Sequence, residues 1–134
     1  MNQLHMSKTI SVAIDCPPEK VYSFVSNAEN FPRWVTSFVR SAKKTDDGWI
    51  LETTDGPLGI EFAAANEYGV LDHVVRPARD VEVTVPMRVV RNGAGSEVLF
   101  TLFQLPGMSD ERFAEDAGMV ERDLAQLKHI LESA

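Results

Sequence analysis

Near the end of the chain, Phe113, Ala117, Val120, Leu124, Leu127 and Leu131 follow one another at intervals of four and three residues. That spacing puts them on one line of an α-helix. Met119 and Ile130 widen the line, while Glu111, Glu115, Glu121, Arg122, Asp123 and Lys128 fall off it. Ser109 or Asp110 is placed to cap the helix, and Glu111 sits in its first turn, where a carboxylate meets the positive end of the dipole. The spacing predicts a helix running to about Leu131. A helix apolar along its whole length must bury that line against a partner equally long.

The preceding chain offers one such partner, a sheet. Residues 8–15 alternate, with Ile10, Val12 and Ile14 on one face and Thr9, Ser11 and Ala13 on the other, the period of a strand with one buried face. Pro17 and Pro18 end it, since proline cannot donate to a ladder. Pro18 starts a short helix carrying Val21, Tyr22, Phe24 and Val25. Asn27 is expected to cap a second, 27–31, broken by Pro32. From 36 to 104 the signals are almost all strand: 37–44, 49–54, 58–67, 70–76 (stopped by Pro77), 80–91 and 96–104. Turns are expected at Asp46-Asp47-Gly48, Asp55-Gly56-Pro57, Tyr68-Gly69 and Asn92-Gly93-Ala94-Gly95. In the long strand Val81, Val83, Val85, Met87 and Val89 share a face, and Pro86 marks an edge or a bulge. The expected class is α+β: a curved antiparallel sheet of about seven strands, two short helices after the first strand and a long C-terminal helix over the sheet. One domain is expected over 8–134, after a loose leader at 1–7.

Charge narrows the partners. Twenty acidic and 13 basic side chains give a net charge of −7. That argues against a nucleic-acid backbone and against an anionic membrane surface. No stretch approaches the roughly 20 apolar residues that span a bilayer. Cys16 is the single cysteine, so no internal disulfide forms and no thiolate cluster holds zinc, which suits a reducing cytoplasm. Histidines and carboxylates show no ligand spacing, so neither a metal nor a cofactor is expected.

Four segments carry a resemblance: 11–25 (SVAIDCPPEKVYSFV), 30–34 (NFPRW), 68–73 (YGVLDH) and 121–128 (ERDLAQLK). With the element order they resemble the START-like superfamily of the helix-grip (START/Bet v 1-like) fold, labelled polyketide cyclase/dehydrase or SRPBCC. The resemblance covers residues 8 to 132. It implies a cavity between sheet and helix, apolar with a few polar groups that orient a ligand. The family spans carriers, cyclases and oxygenase domains, so it implies the fold more firmly than a reaction. A Rieske-type cysteine/histidine pair is missing from the sequence, which removes the oxygenase branch.

His73 is the leading candidate for a polar cavity group. It shares a face with Leu71 and Val75, and a neutral imidazole can act as base or hydrogen-bond partner. Asp72 is its candidate catalytic companion, with Glu61 or Arg88 as further acid/base groups. The alternatives are that Asp72 and Arg76 face inward instead, and that Glu61 and Arg88 are solvated surface charges. Candidate ligand contacts are Tyr22, Trp34, Phe38, Phe62, His73, Met87, Phe100, Phe113, Val120 and Leu124; ordinary core packing is the competing account of each. Cys16 reads as an inert thiol. Three functions stay open: binding of a small hydrophobic or aromatic ligand, a cyclase/dehydratase-like enzyme in the same cavity, and a homodimerising partner-binding protein.

Overall fold

A computed structural model describes residues 4–46 and 48–133. The order is β1 (Ser7–Ile14), α1 (Pro18–Val25), a 3-10 turn (Ala28–Asn30), α2 (Phe31–Trp34), β2 (Val39–Thr45), β3 (Gly48–Thr53), β4 (Gly56–Phe62), β5 (His73–Ala78), β6 (Val81–Val85), β7 (Met87–Asn92), β8 (Gly95–Phe103) and α3 (Asp110–Ser133). This is the expected α+β helix-grip architecture, with eight strands in place of about seven.

The extra strand comes from Pro86. The run expected as one strand, 80–91, divides there, and its halves join different ladders. β6 is the edge of the antiparallel ladder β2-β3-β4-β5-β6, while β7 is the edge of β1-β8-β7. Proline has no N–H to continue a ladder, but its carbonyl accepts from the Thr101 N–H at 3.0 Å, stitching the joint to β8. A second seam closes the other side. Val70 bridges Arg88, the Leu71 N–H donates to Met87 O at 2.9 Å, and the Val89 N–H donates to Gly69 O at 2.9 Å. Gly69 has φ +75°, and a Cβ there would stand 2.1 Å from the Val89 carbonyl oxygen, so this crossing requires glycine.

Other boundaries moved for local reasons. β4 stops at Phe62, short of residue 67: the Ala63 N–H still donates to Asp72 O in the same register, and beyond it the Asn66 side chain turns the chain by bonding the backbones of Tyr68 and Val70. β5 passes through Pro77 to Ala78, with the ladder shifting register there, so this proline marks an irregularity and does not end the strand. Asn27 caps the 3-10 turn through Glu29 N, and Pro32 falls in the first turn of α2, where its missing N–H costs nothing. Asp47, in one expected turn, lies outside the described residues. In the expected leader, the Met6 carbonyl accepts from the Gln104 N–H at 2.8 Å and so extends the β1–β8 pairing.

The core forms where the C-terminal half of α3 meets β1, β7, β8 and α1. Leu124, Leu127 and Leu131 are buried with Ile14, Val21, Val25, Met87, Val89 and Val98. The same helix end is tied to β1 by polar contacts: Lys128 Nζ donates to Ala13 O at 2.7 Å, and Glu132 Oε2 accepts from the Asp15 N–H at 2.8 Å. Ser109 Oγ caps the other end by accepting from the Arg112 N–H at 3.0 Å. Among the described helices none is long and apolar enough to cross a membrane. Leu127 has no exposed surface, so Leu127→Ala is expected to cost about 2–5 kcal/mol, read as a lowered urea midpoint with an unchanged slope.

Candidate functional site

The helix does not fill the space above both ladders. A cavity of about 280 Å³ remains between α3, α2 and strands of the two sheets. Alternation along each strand chooses its walls: Leu58 and Ile60 from β4, His73 and Val75 from β5, Val85 from β6, and Phe100 and Leu102 from β8. Phe31, Trp34, Val35, Phe38, Val39 and Leu51 close one end. α3 contributes Arg112, Asp116, Met119, Val120 and Asp123. Depressions of about 680 and 710 Å³ also lie on the outside, edged by exposed charged side chains. Apart from Ile60 in one and Val89 in the other, their linings are not buried apolar side chains.

Four ionisable side chains break an otherwise apolar lining apart from the Trp34 ring nitrogen. Arg112 stands at the edge, with its side chain 55% exposed, and its Nε donates to Asp116 Oδ1 at 3.0 Å. Its far end lies 4.0 Å from Asp55 Oδ2 in the β3–β4 turn. His73 lies deeper, only 6% exposed, among Phe31, Phe62 and Phe100 at centroid distances of 6.3, 5.1 and 6.3 Å. Its Nδ1 lies 2.9 Å from Leu71 O. A carbonyl only accepts, so Nδ1 carries the proton and, on the neutral ring, Nε2 presents a lone pair. Burial holds this imidazole below its ordinary value, against smaller opposing effects of the Leu71 carbonyl and Asp72.

Asp123 is the fourth group, and sequence reasoning placed it off the helix stripe. It is 6% exposed and lines the cavity. Its Oδ1 accepts from the Ser37 N–H at 3.2 Å, which ties α3 to the loop after α2. Burial pushes its carboxyl above the usual carboxylate range, while the Ser37 bonds and Arg122 pull the other way. The signal was present in the spacing. Asp123 is three residues after Val120 and four before Leu127, on the flank of the stripe. Trp34 is also buried, at 2%, and its Nε1–H finds no acceptor among the described residues. An orphaned buried donor costs about 1–3 kcal/mol.

Several expected site residues lie elsewhere. Asp72 is one residue from His73 and therefore on the opposite face of the chain. It accepts from Met87 N at 2.8 Å and from Arg88 Nε and Nη2 at 3.1 and 2.8 Å, so it fastens the seam to β7. Glu61 is 69% exposed and pairs with Arg76 at 3.0 Å. The acid/base set of His73 with Asp72, Glu61 or Arg88 is therefore not assembled in the cavity. Tyr22 sits on the far side, where its hydroxyl accepts from the Asn66 N–H at 3.1 Å beside an outer depression. Met87 and Leu124 are sealed in the core below. Phe62 stacks behind Phe31 at 5.7 Å, and Phe113 is half-buried near the start of α3 without reaching the lining. Trp34, Phe38, His73, Phe100 and Val120 are the expected contacts that the fold brings together. Cys16 is buried, with its thiol pushed up by burial.

Residues 5–132 match the family described as polyketide cyclase / dehydrase and lipid transport. The chain belongs to that family. Among curated proteins nothing matches it. Solved structures share its fold. An uncharacterised protein from Bacillus thuringiensis is 20% identical with a TM-score of 0.75, over 94% of this chain and 98% of that one. A protein from Chromobacterium violaceum is 14% identical with a TM-score of 0.76, over 94% and 97%. A START superfamily protein from Mycobacterium smegmatis is 14% identical with a TM-score of 0.70, over 95% and 97%. At these identities the likeness is one of fold, and the chemistry of this polyketide cyclase / dehydrase family member must be argued from its own cavity.

The two buried titratable groups predict opposite pH responses. His73 binds its proton less readily folded than unfolded, so its contribution is whole above about 6.5 and is lost as pH falls below that value. His73→Phe is expected to flatten the decline in urea midpoint between pH 7.5 and 5.5. Asp123 binds its proton more readily folded, so its contribution is lost as pH rises through its elevated value. Asp123→Asn keeps an oxygen for Ser37 and is expected to raise the midpoint at pH 7 relative to wild type.

Proposed function

We propose that this protein is a binding module for one small, flat, apolar molecule held between α3 and the two ladders. The observation that carries this reading is the cavity itself, walled by aromatic and aliphatic side chains, with few polar groups to orient a guest. Its size selects the guest. About 280 Å³ lies just under the roughly 300–1,000 Å³ of usual ligand pockets. A bicyclic ring system suits that space better than a long acyl chain or a sterol. Phe31, Trp34, Phe38 and Phe100 supply flat faces for such a ring. The family description, which names polyketide chemistry and lipid transport, supports an apolar guest.

Native mass spectrometry of the protein as purified from cells, before and after denaturation, is the direct test. A small-molecule adduct lost on denaturation is the expected result. Val120→Trp puts an indole into the cavity from the helix side and is expected to remove the adduct. It is also expected to weaken binding of added naphthalene by at least about tenfold, the equivalent of about 1.4 kcal/mol. Naphthalene binding undiminished by Val120→Trp would show that the guest sits elsewhere.

A further inference from the structure

The cavity's charge and hydrogen-bonding valences specify what kind of polar group the guest carries. Arg112 and Asp116 neutralise each other at the edge, Nε to Oδ1 at 3.0 Å. His73, held neutral by its surroundings, offers only the Nε2 lone pair. Asp123 accepts from the Ser37 N–H through Oδ1 at 3.2 Å, and the Ser37 side chain adds to that stabilisation of the carboxylate. Arg122, its exposed neighbour on the helix, makes no hydrogen bond to it among the described residues. Beside the Arg112–Asp116 pair, the acceptors on this apolar lining are therefore His73 Nε2 and the Asp123 carboxyl.

We infer that Asp123 is the specificity-determining residue of the cavity and that it selects apolar molecules bearing a hydrogen-bond donor, a hydroxyl or an amine, over those bearing a carboxylate. A carboxylate placed beside Asp123 would meet a like charge, and the cation on the lining, Arg112, stands at the edge already paired with Asp116. A donor would satisfy Asp123 or His73 Nε2 directly, and charge-assisted bonds are the stronger kind. Trp34, on the same lining, has a buried Nε1–H without an acceptor among the described residues, so a guest group that can accept as well as donate suits the site best. A hydroxyl could accept from it as well as donate, whereas an ammonium could not. This inference rests on the cavity reading above and adds to it the sign of the guest's polar group. It runs against free fatty acids as ligands.

The test compares naphthalene, 2-naphthol and 2-naphthoate by titration calorimetry at pH 7 on wild type and Asp123→Asn. The asparagine keeps the acceptor for Ser37 and turns the other oxygen into an N–H₂ donor. Naphthalene serves as the reference probe in each protein, and a cooperative urea transition shows that the variant is folded. Desolvation disfavours naphthoate in both proteins, so the change of preference between them is the readout. The naphthol-over-naphthoate ratio is expected to fall by at least about tenfold in Asp123→Asn, in line with the loss of a charge-assisted bond and a like-charge clash. An unchanged ratio, with naphthalene still bound, overturns the inference and leaves the cavity reading standing. Failure of all three probes to bind wild type overturns both. 2-Naphthylmethylamine separates the donor types: tighter binding than naphthalene by it or by naphthol supports the inference, and weaker binding by both overturns it.

Discussion

Everything in this molecule depends on how the last helix is held down. Its C-terminal half is clamped twice, by Leu124, Leu127 and Leu131 in the core and by Lys128 and Glu132 on the backbone at the end of β1. Burial of three leucines is worth several kcal/mol in transfer terms, and the two polar ties set the helix's position along the strand. The other half of α3 is carried across the ladders by polar ties, Gln104 to Asp110 and Ser37 to Asp123, with Ala117 as its buried apolar residue. The cavity is the space that this leaves.

The same helix therefore has two neighbouring rows with different duties. One row, 124, 127 and 131, is sealed in the core; the other, 112, 116, 119, 120 and 123, faces the cavity. The rows are close in angle, which is why an apolar stripe and a polar site can share one helix. The sheet repeats the arrangement. Val85 lines the cavity and Met87 is sealed in the core, with Pro86 between them handing the chain from one ladder to the other.

Much of this was legible in the sequence because it is periodic. The four-three spacing of Leu124, Leu127 and Leu131 implied the helix and the alternation of Ile10, Val12 and Ile14 implied β1, while the shared face of Leu71, His73 and Val75 left two choices until the fold turned that face inward. What escaped was non-local or disguised by residue type. Asp72 borders His73, but its partner Arg88 is sixteen residues away across a seam that no local pattern announces. Asp123 carries a charge, and charge reads as solvent, although its distance from Val120 and Leu127 is that of a buried neighbour. Pro86 was visible as an interruption, but whether a proline bends one strand or divides two is decided by which partners each half finds.

The division of labour along α3 bears on how such a protein can change over generations. Positions 112, 116 and 119 line the cavity away from the clamp at 124, 127 and 131, whereas Val120 lines the cavity and packs against the core as well. Distant, non-touching substitutions act nearly independently on stability. A lineage can thus revise what the cavity welcomes while the scaffold stays as sturdy as before. That separation gives a physical reason why one architecture recurs among chains as little alike in sequence as the relatives described above.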